Sequence, residues 1–250
     1  MTNTDIISQF IPKLIDIKGM NQLLQAIRSP NLLVYGEIHG IQENADVIYT
    51  LAHDLGIKRI AIENSPSIKE FIDTASKGIY DFSLIDPDTF DSSILSLEVA
   101  KTLAALLTEG TIDEIIYIDT FFDNLDPSSL DHPDSPQRRE QTLAENILRL
   151  DTSASRTLCL LGQWHTRTDP VQLDNHTTHK SALYRIRQAK ENAPFVHMIY
   201  RQGQARNDGR ILNLPERIDV SHDYEIRALS GLDFDIHVPQ AHSTRLTEAF

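Results

Sequence analysis

Cysteine is nearly absent from this chain of 250 residues: Cys159 is the only one. An internal disulfide is therefore impossible, and a small disulfide-stapled scaffold is excluded. The lone thiol sits in the apolar run "TLCLL" and reads as a buried group, a usage that fits a reducing cytoplasm. Positive charge is also scarce. Lys and Arg number 23 against 36 Asp and Glu, a formal net charge of −13, and no basic run offsets it. A phosphate backbone or an anionic membrane surface would be repelled, so neither nucleic acid nor membrane is expected as a partner. No apolar stretch reaches the roughly 20 residues that span a bilayer. The start, "MTNTDIISQFIPKLIDIKGMNQLLQAI", has neither a basic opening nor a continuous apolar centre, so no signal peptide is read there. Gly-x-Ser-x-Gly and Walker-type loops are missing too, which argues against serine-elbow and phosphate-loop chemistry.

What the chain has is a regular alternation of short apolar runs and amphipathic stretches. The runs are "NLLVYG" (31–36), "RIAIE" (59–63), "EIIYID" (114–119), "TLCLLG" (157–162) and "FVHMIY" (195–200). They are almost continuously apolar, as strands covered on both faces should be. Helical spacing marks 42–55, 67–77, 95–109, 137–151 and 180–191. Residues 5–27 read as one N-terminal amphipathic helix. The fold class expected is therefore a single α/β domain over 1–250 with a central, mainly parallel sheet flanked by helices. Its motif-bearing core covers about 31–200, and 201–250 is a C-terminal extension. In that extension Asn-Asp-Gly signals a hairpin within 201–215, and "YEIRALSGLDFDIHV" reads as antiparallel edge strands. Residues 80–98 read as an insertion of mixed structure. Residues 124–137, rich in Pro, Ser and Asp, follow the third strand at its C-terminal end, where they could form a lid.

Ligands of open α/β sheets bind outside the carboxyl ends of the strands. There the first strand delivers Glu37 and His39, the second Glu63, the third Asp119 and the fourth His165. The first and fourth share a local form, an apolar run followed by Gly-x-x-His: "GEIH" at 36–39 and "GQWH" at 162–165. The glycine permits a sharp turn or a close approach. Four residues on, Glu43 would share a helix face with His39 if a helix starts near residue 40. The remaining histidines, His176, His179, His197 and His242 among them, lack this context and read as surface or core groups. The His-x-x-His spacing at 176–179 falls in a loop-like stretch.

With these residues in view, "GEIHGIQEN" resembles the Gly-Glu-x-x-His-Gly-x-x-Glu signature of erythromycin-esterase-like hydrolases, one residue shorter between Glu and His. It also resembles the Gly-Glu-x-His form of ChaN-like haem-binding proteins. "GQWH" resembles the second Gly-x-x-His motif that both share with TIKI-type metalloproteases. "RREQTLAENILRL" resembles the pattern Arg-Asp-x-x-Met-Ala-x-Asn, with Glu140 for Asp and Leu143 for Met. The motif order agrees over about residues 31–170. The resemblance implies catalytic roles for Glu37, His39, Glu63 and His165, and substrate contacts for Glu43, Asp119 and Arg139, with Asn146 seven positions beyond Arg139. The chain lacks most of the helical insertions that shape the esterase cleft, and no lipoprotein signal of the ChaN kind is read.

Three readings stay open. In the first, His39 is a general base for water attack on an ester or amide, tuned by Glu37, Glu43 or Glu63, while His165 and Arg139 steady the oxyanion. In the second, Glu37, His39, Glu63 and His165 hold a divalent metal that activates the water. In the third, ranked below both, the protein is a non-catalytic binder of haem or another small ligand, with a His or Tyr35 as axial group. The cofactor is thus either none or a divalent metal, with haem behind. The expected partner is a small-molecule or peptide ligand, the expected location cytoplasmic, and the oligomeric state is not set by the sequence.

Overall fold

The apolar runs become strands because both of their faces are covered. The computed structural model describes residues 16–27, 31–64, 68–79, 81–84, 96–121, 135–173, 177–190, 192–207 and 210–244. Strands β1 (Leu32–Glu37) and β4 (Thr157–Gly162) are buried along their whole length. β2 (Arg59–Ile62), β3 (Glu114–Tyr117) and β7 (Phe195–Tyr200) complete the expected set. Two strands from the tail, β10 (Glu225–Ser230) and β11 (Asp233–Val238), extend the sheet to seven in the order β10-β11-β7-β1-β4-β2-β3. All neighbours are parallel except β10 and β11, so the tail supplies one antiparallel edge strand and one parallel strand. The single mainly parallel α/β sheet read from the sequence is thus the one observed.

Among the described residues six helices flank it: α1 (Ile17–Ala26), α2 (Glu43–Asp54), α3 (Lys69–Ala75), α4 (Leu97–Thr108), α5 (Ser135–Leu148) and α6 (Ala182–Ala189). Side chains alternate between the faces of each strand. On one face Leu33, Tyr35, Ile60, Ile62, Leu158 and Leu160 pack with residues of α1 to α4, such as Leu51, Phe71 and Leu103. On the other, Leu32, Val34, Ala61, Cys159 and Leu161 pack with Leu143, Ile147, Leu183 and Ile186 of α5 and α6. Ser96 and Ser181 cap α4 and α6 by accepting from the Val99 and Tyr184 amides. Asp16 caps α1 through Gly19 and also accepts from the Ile226 amide of β10, so the segment read as one helix over 5–27 is helical from Ile17 in its described part. The hairpin of the extension is β8 (Gly203–Asn207) with β9 (Arg210–Leu214).

One detail differs from the sequence reading. The stretch around His179 is not all loop, because Thr178–His179 (β6) pairs with Val171–Gln172 (β5). Of 80–98, the described residues give a 3₁₀ turn at Phe82–Leu84 and the start of α4. Most of the segment proposed as a lid, and His176, lie outside the described residues. Among the described residues no helix is long and apolar enough to cross a membrane.

The register sets the site. Glu37 is level with Gly162, and Ile62 with Leu160 and Tyr117, so β1, β4, β2 and β3 end side by side.

Leu160 is wholly buried where these strands meet, whereas Ile218 is 86% exposed. Leu160→Ala should lower unfolding free energy by about 2–5 kcal/mol, and Ile218→Ala by no more than about 0.5 kcal/mol, both read from urea denaturation at neutral pH. Equal losses would contradict the assignment of the core.

Candidate functional site

Two histidines of the same local form meet different surroundings at this edge. Glu37, the last residue of β1, is buried and holds Nδ1 of His39 through Oε1. Its other oxygen accepts from Nδ2 of Asn44 at 2.5 Å, and Asn44 in turn accepts from the Tyr35 hydroxyl at 2.8 Å. The His39 ring therefore stands on a carboxylate that is itself held from behind. Its side chain is 32% exposed, and Nε2 has no hydrogen-bond partner among the described residues. The ring lies over Gly162, where a Cβ would come within 2.8 Å of both Cε1 and Nε2. Gly36 is constrained likewise, since a Cβ there would meet Thr166 Oγ1 at 2.5 Å. Both glycines of the paired motifs make room for neighbouring side chains.

His165 sits in a 3₁₀ turn, Gln163–Thr166, directly after β4. Its Nδ1 lies 2.8 Å from Oε1 of Glu140 and its Nε2 2.9 Å from Oε1 of Glu63. Glu63, one residue past β2, also accepts from the Gly162 amide at 2.7 Å and from Nη2 of Arg139 at 2.6 Å. Arg139 on α5 donates Nε and Nη2 to Oδ2 of Asp119, at 2.9 and 2.7 Å, so its guanidinium bridges the ends of β2 and β3. Asn146 donates to the Ile118 carbonyl and fixes the same strand end.

The electrostatics follow from these contacts. Burial alone would raise Glu63, but His165, Arg139 and His39 outweigh it and hold its carboxyl at about 2. Burial disfavours the charged form of His165, yet Glu63 and Glu140 overcome this and raise it to about 9, so it is an imidazolium at neutral pH. His39 is raised for the same reason, with Glu37 the larger partner. Glu37 itself is pushed up by burial, against the pull of His39. The site thus offers one imidazole with an open nitrogen beside two fixed cations, His165 and Arg139.

The possible metal set does not fit. Among the described residues no three His, Cys, Asp or Glu side chains are grouped to hold an ion. Arg139 fills the space between Glu63 and Asp119, and both nitrogens of His165 face carboxylates. Tyr35 does not suit the axial role either, being buried with its hydroxyl bonded to Asn44.

Of the nominated residues, Glu37, His39, Glu63, Asp119, Arg139 and His165 come together. Glu43 does not orient His39. The helix begins at Glu43 rather than near residue 40, and its carboxylate accepts from the His242 amide at 2.9 Å and lies 2.5 Å from His242 Nδ1. Sequence reasoning missed three supporting groups. Asn44 orients Glu37. Glu140 orients His165 and accepts from the Ala182 amide at the start of α6. His179, buried, lies 3.1 Å from the same Glu140 oxygen and accepts from the Gln137 amide. The one signal in the sequence was Glu140 in the Asp position of the Arg-Asp pattern.

No family model matches the chain, and no curated protein matches it in sequence. Its structure is similar to that of a Bacillus cereus protein, 10% identical, with a TM-score of 0.63 over 99% of this chain and 100% of that one. It is also similar to a succinoglycan biosynthesis protein, 11% identical, with a TM-score of 0.54 over 98% and 99%. These likenesses show a shared α/β fold over the whole length. They do not reach the esterase-like, ChaN-like or TIKI-type reading of the motifs.

A pH dependence of stability follows from His165. Its folded value of about 9 exceeds the ordinary 6.5, so its contribution is complete below 6.5 and is lost as pH rises through about 9. Urea midpoints of wild type and His165→Gln should differ most below pH 6.5 and draw together as pH rises past about 9. A constant gap across that window would contradict the imidazolium.

Proposed function

We propose that the protein is a hydrolase that activates water for ester or amide cleavage at the C-terminal edge of its sheet, with His39 as general base. The observation that carries this reading is the asymmetry of His39: Nδ1 is held by a buried carboxylate, and Nε2 has no hydrogen-bond partner among the described residues. That is the arrangement a base needs, because the tautomer is fixed and the accepting nitrogen is free. The ordered resemblance to erythromycin-esterase-like hydrolases supports the same chemistry.

In this mechanism Nε2 of His39 takes a proton from water as the oxygen attacks the carbonyl carbon. The Glu37 carboxylate stabilises the imidazolium that forms. The developing oxyanion is stabilised through space by the charge of Arg139 and His165, whose nitrogens are held by Glu63, Asp119 and Glu140. Collapse of the tetrahedral intermediate breaks the bond to the leaving group, and His39 returns its proton to the departing alkoxide or amine. The products are a carboxylic acid and an alcohol or amine, with no redox change.

His39→Ala should lower kcat on an activated ester such as p-nitrophenyl acetate by about 10²–10⁴-fold with the fold intact. The wild-type rate should rise with pH through a midpoint above 6.5, as His39 loses its proton, and fall near 9, as His165 loses its own. An active His39→Ala variant, or a profile flat over that range, would overturn the assignment.

A further inference from the structure

Helices α5 and α6 cover β1, β4 and β2 on their face of the sheet, but a cleft of about 620 Å³ lies open over β7 and β11. One wall is the turn after β4, with Gln163, Trp164, Thr166 and Arg167. The other is the sheet itself, with Phe195 and His197 of β7, Asp233 and Asp235 of β11, and Leu229. The volume lies in the range of small-molecule sites, about 300–1,000 Å³. The cleft adjoins the site already described. His165 belongs to the same turn as Trp164, and Thr166 and Phe195 both crowd Gly36, the residue before Glu37.

Three large apolar groups face this space. Trp164 is 42% exposed, with Arg167 4.1 Å over its ring and the His179 ring 4.9 Å from it, and Leu229 and Phe195 also line the space. The carboxylates differ. Asp233 is paired with Arg187 of α6. Asp235 has little exposed surface, and among the described residues its one ion contact is Nδ1 of His197 at 3.8 Å, beyond hydrogen-bond length. His197 adds no charge, because burial and Arg217 hold it near 4. The nearby cations Arg217 and Arg227 pair with Asp219 and Glu225 and act on Asp235 only through space, where burial outweighs them. A partly desolvated carboxylate without a donor costs free energy that a cationic ligand group would recover. Arg167, exposed at the opposite rim, is screened by solvent.

We propose that this cleft is the recognition subsite of the enzyme, and that it selects substrates with a cationic amine or amidine on an apolar or aromatic body, the cation on Asp235 and the body between Trp164 and Phe195. That it serves a substrate rests on the hydrolase reading above; that it binds such a cation does not. The net charge of −13 would draw these ligands in.

Trp164 is the only tryptophan of the chain, so its fluorescence reports on the cleft directly. The probes are benzamidine and its neutral isostere benzamide, titrated into wild type and Asp235→Asn. Saturable change with benzamidine, about ten- to a hundredfold tighter than with benzamide, is expected, as is loss of that preference in Asp235→Asn. Equal affinity of wild type for the two probes, or no saturation with benzamidine, overturns the subsite without any need for the variant to fold. For the substrate role, kcat/KM is compared for p-nitrophenyl 4-guanidinobenzoate and p-nitrophenyl benzoate. A preference of about tenfold or more for the cationic ester, removed in Asp235→Asn, supports that role. Benzamidine binding with neither ester hydrolysed would leave the subsite standing and overturn the hydrolase reading.

Discussion

The buried carboxylate of Glu63 is the constraint on which the edge of this sheet depends. An anion removed from water is tolerable only when charge and hydrogen bonds replace the lost solvent. Glu63 receives an amide from Gly162, a guanidinium from Arg139 and an imidazolium from His165. Each donor comes from a different element, so satisfying one carboxylate ties β4, α5 and the turn after β4 to the end of β2. Arg139 carries the tie on to Asp119 past β3, and Glu140 carries it from His165 to the first amide of α6. Removal of either cation would strand buried negative charge, which typically costs more than a well-made pair contributes.

The same network explains why two motifs of one form have unlike chemistry. His165 faces a carboxylate at each nitrogen and is held as a cation, so it can stabilise charge but not accept a proton at neutral pH. His39 has one carboxylate partner and one open nitrogen. It feels Glu63 as a further raising influence and His165 as a lowering one. In the proposed mechanism, base and electrostatic partner are distinguished by the number of carboxylates around each ring. The glycine in each motif matters through space: Gly162 leaves room for the His39 ring, and Gly36 for Thr166.

Much of this was legible in the sequence. Near-continuous apolar runs such as "TLCLLG" state that a strand is covered on both faces, and the acids and histidines that end four such runs state where the site lies. Register could not be read. That Glu37 is level with Gly162, and so brings His39 over it, depends on β4, which follows β2 and β3 in the chain, lying between β1 and β2 in the sheet. Partners far apart in the chain were equally hidden. Glu43 reads as a neighbour of His39 by spacing, yet it binds His242, 199 residues away. Glu140 and His179 meet only once α5 has docked against β6 and α6. The cleft was invisible for the same reason: its floor combines alternate residues of β7 with those of β11, a strand from the tail.

The most direct test is the proton occupancy of His165 in the intact protein. Its ring-nitrogen chemical shifts, followed by NMR as pH is raised from 6 to 10, should report an imidazolium that titrates with a midpoint near 9. A midpoint at or below 6.5 would mean that Glu63 and Glu140 do not hold the charge as described, and the electrostatic account of the site would fail with it.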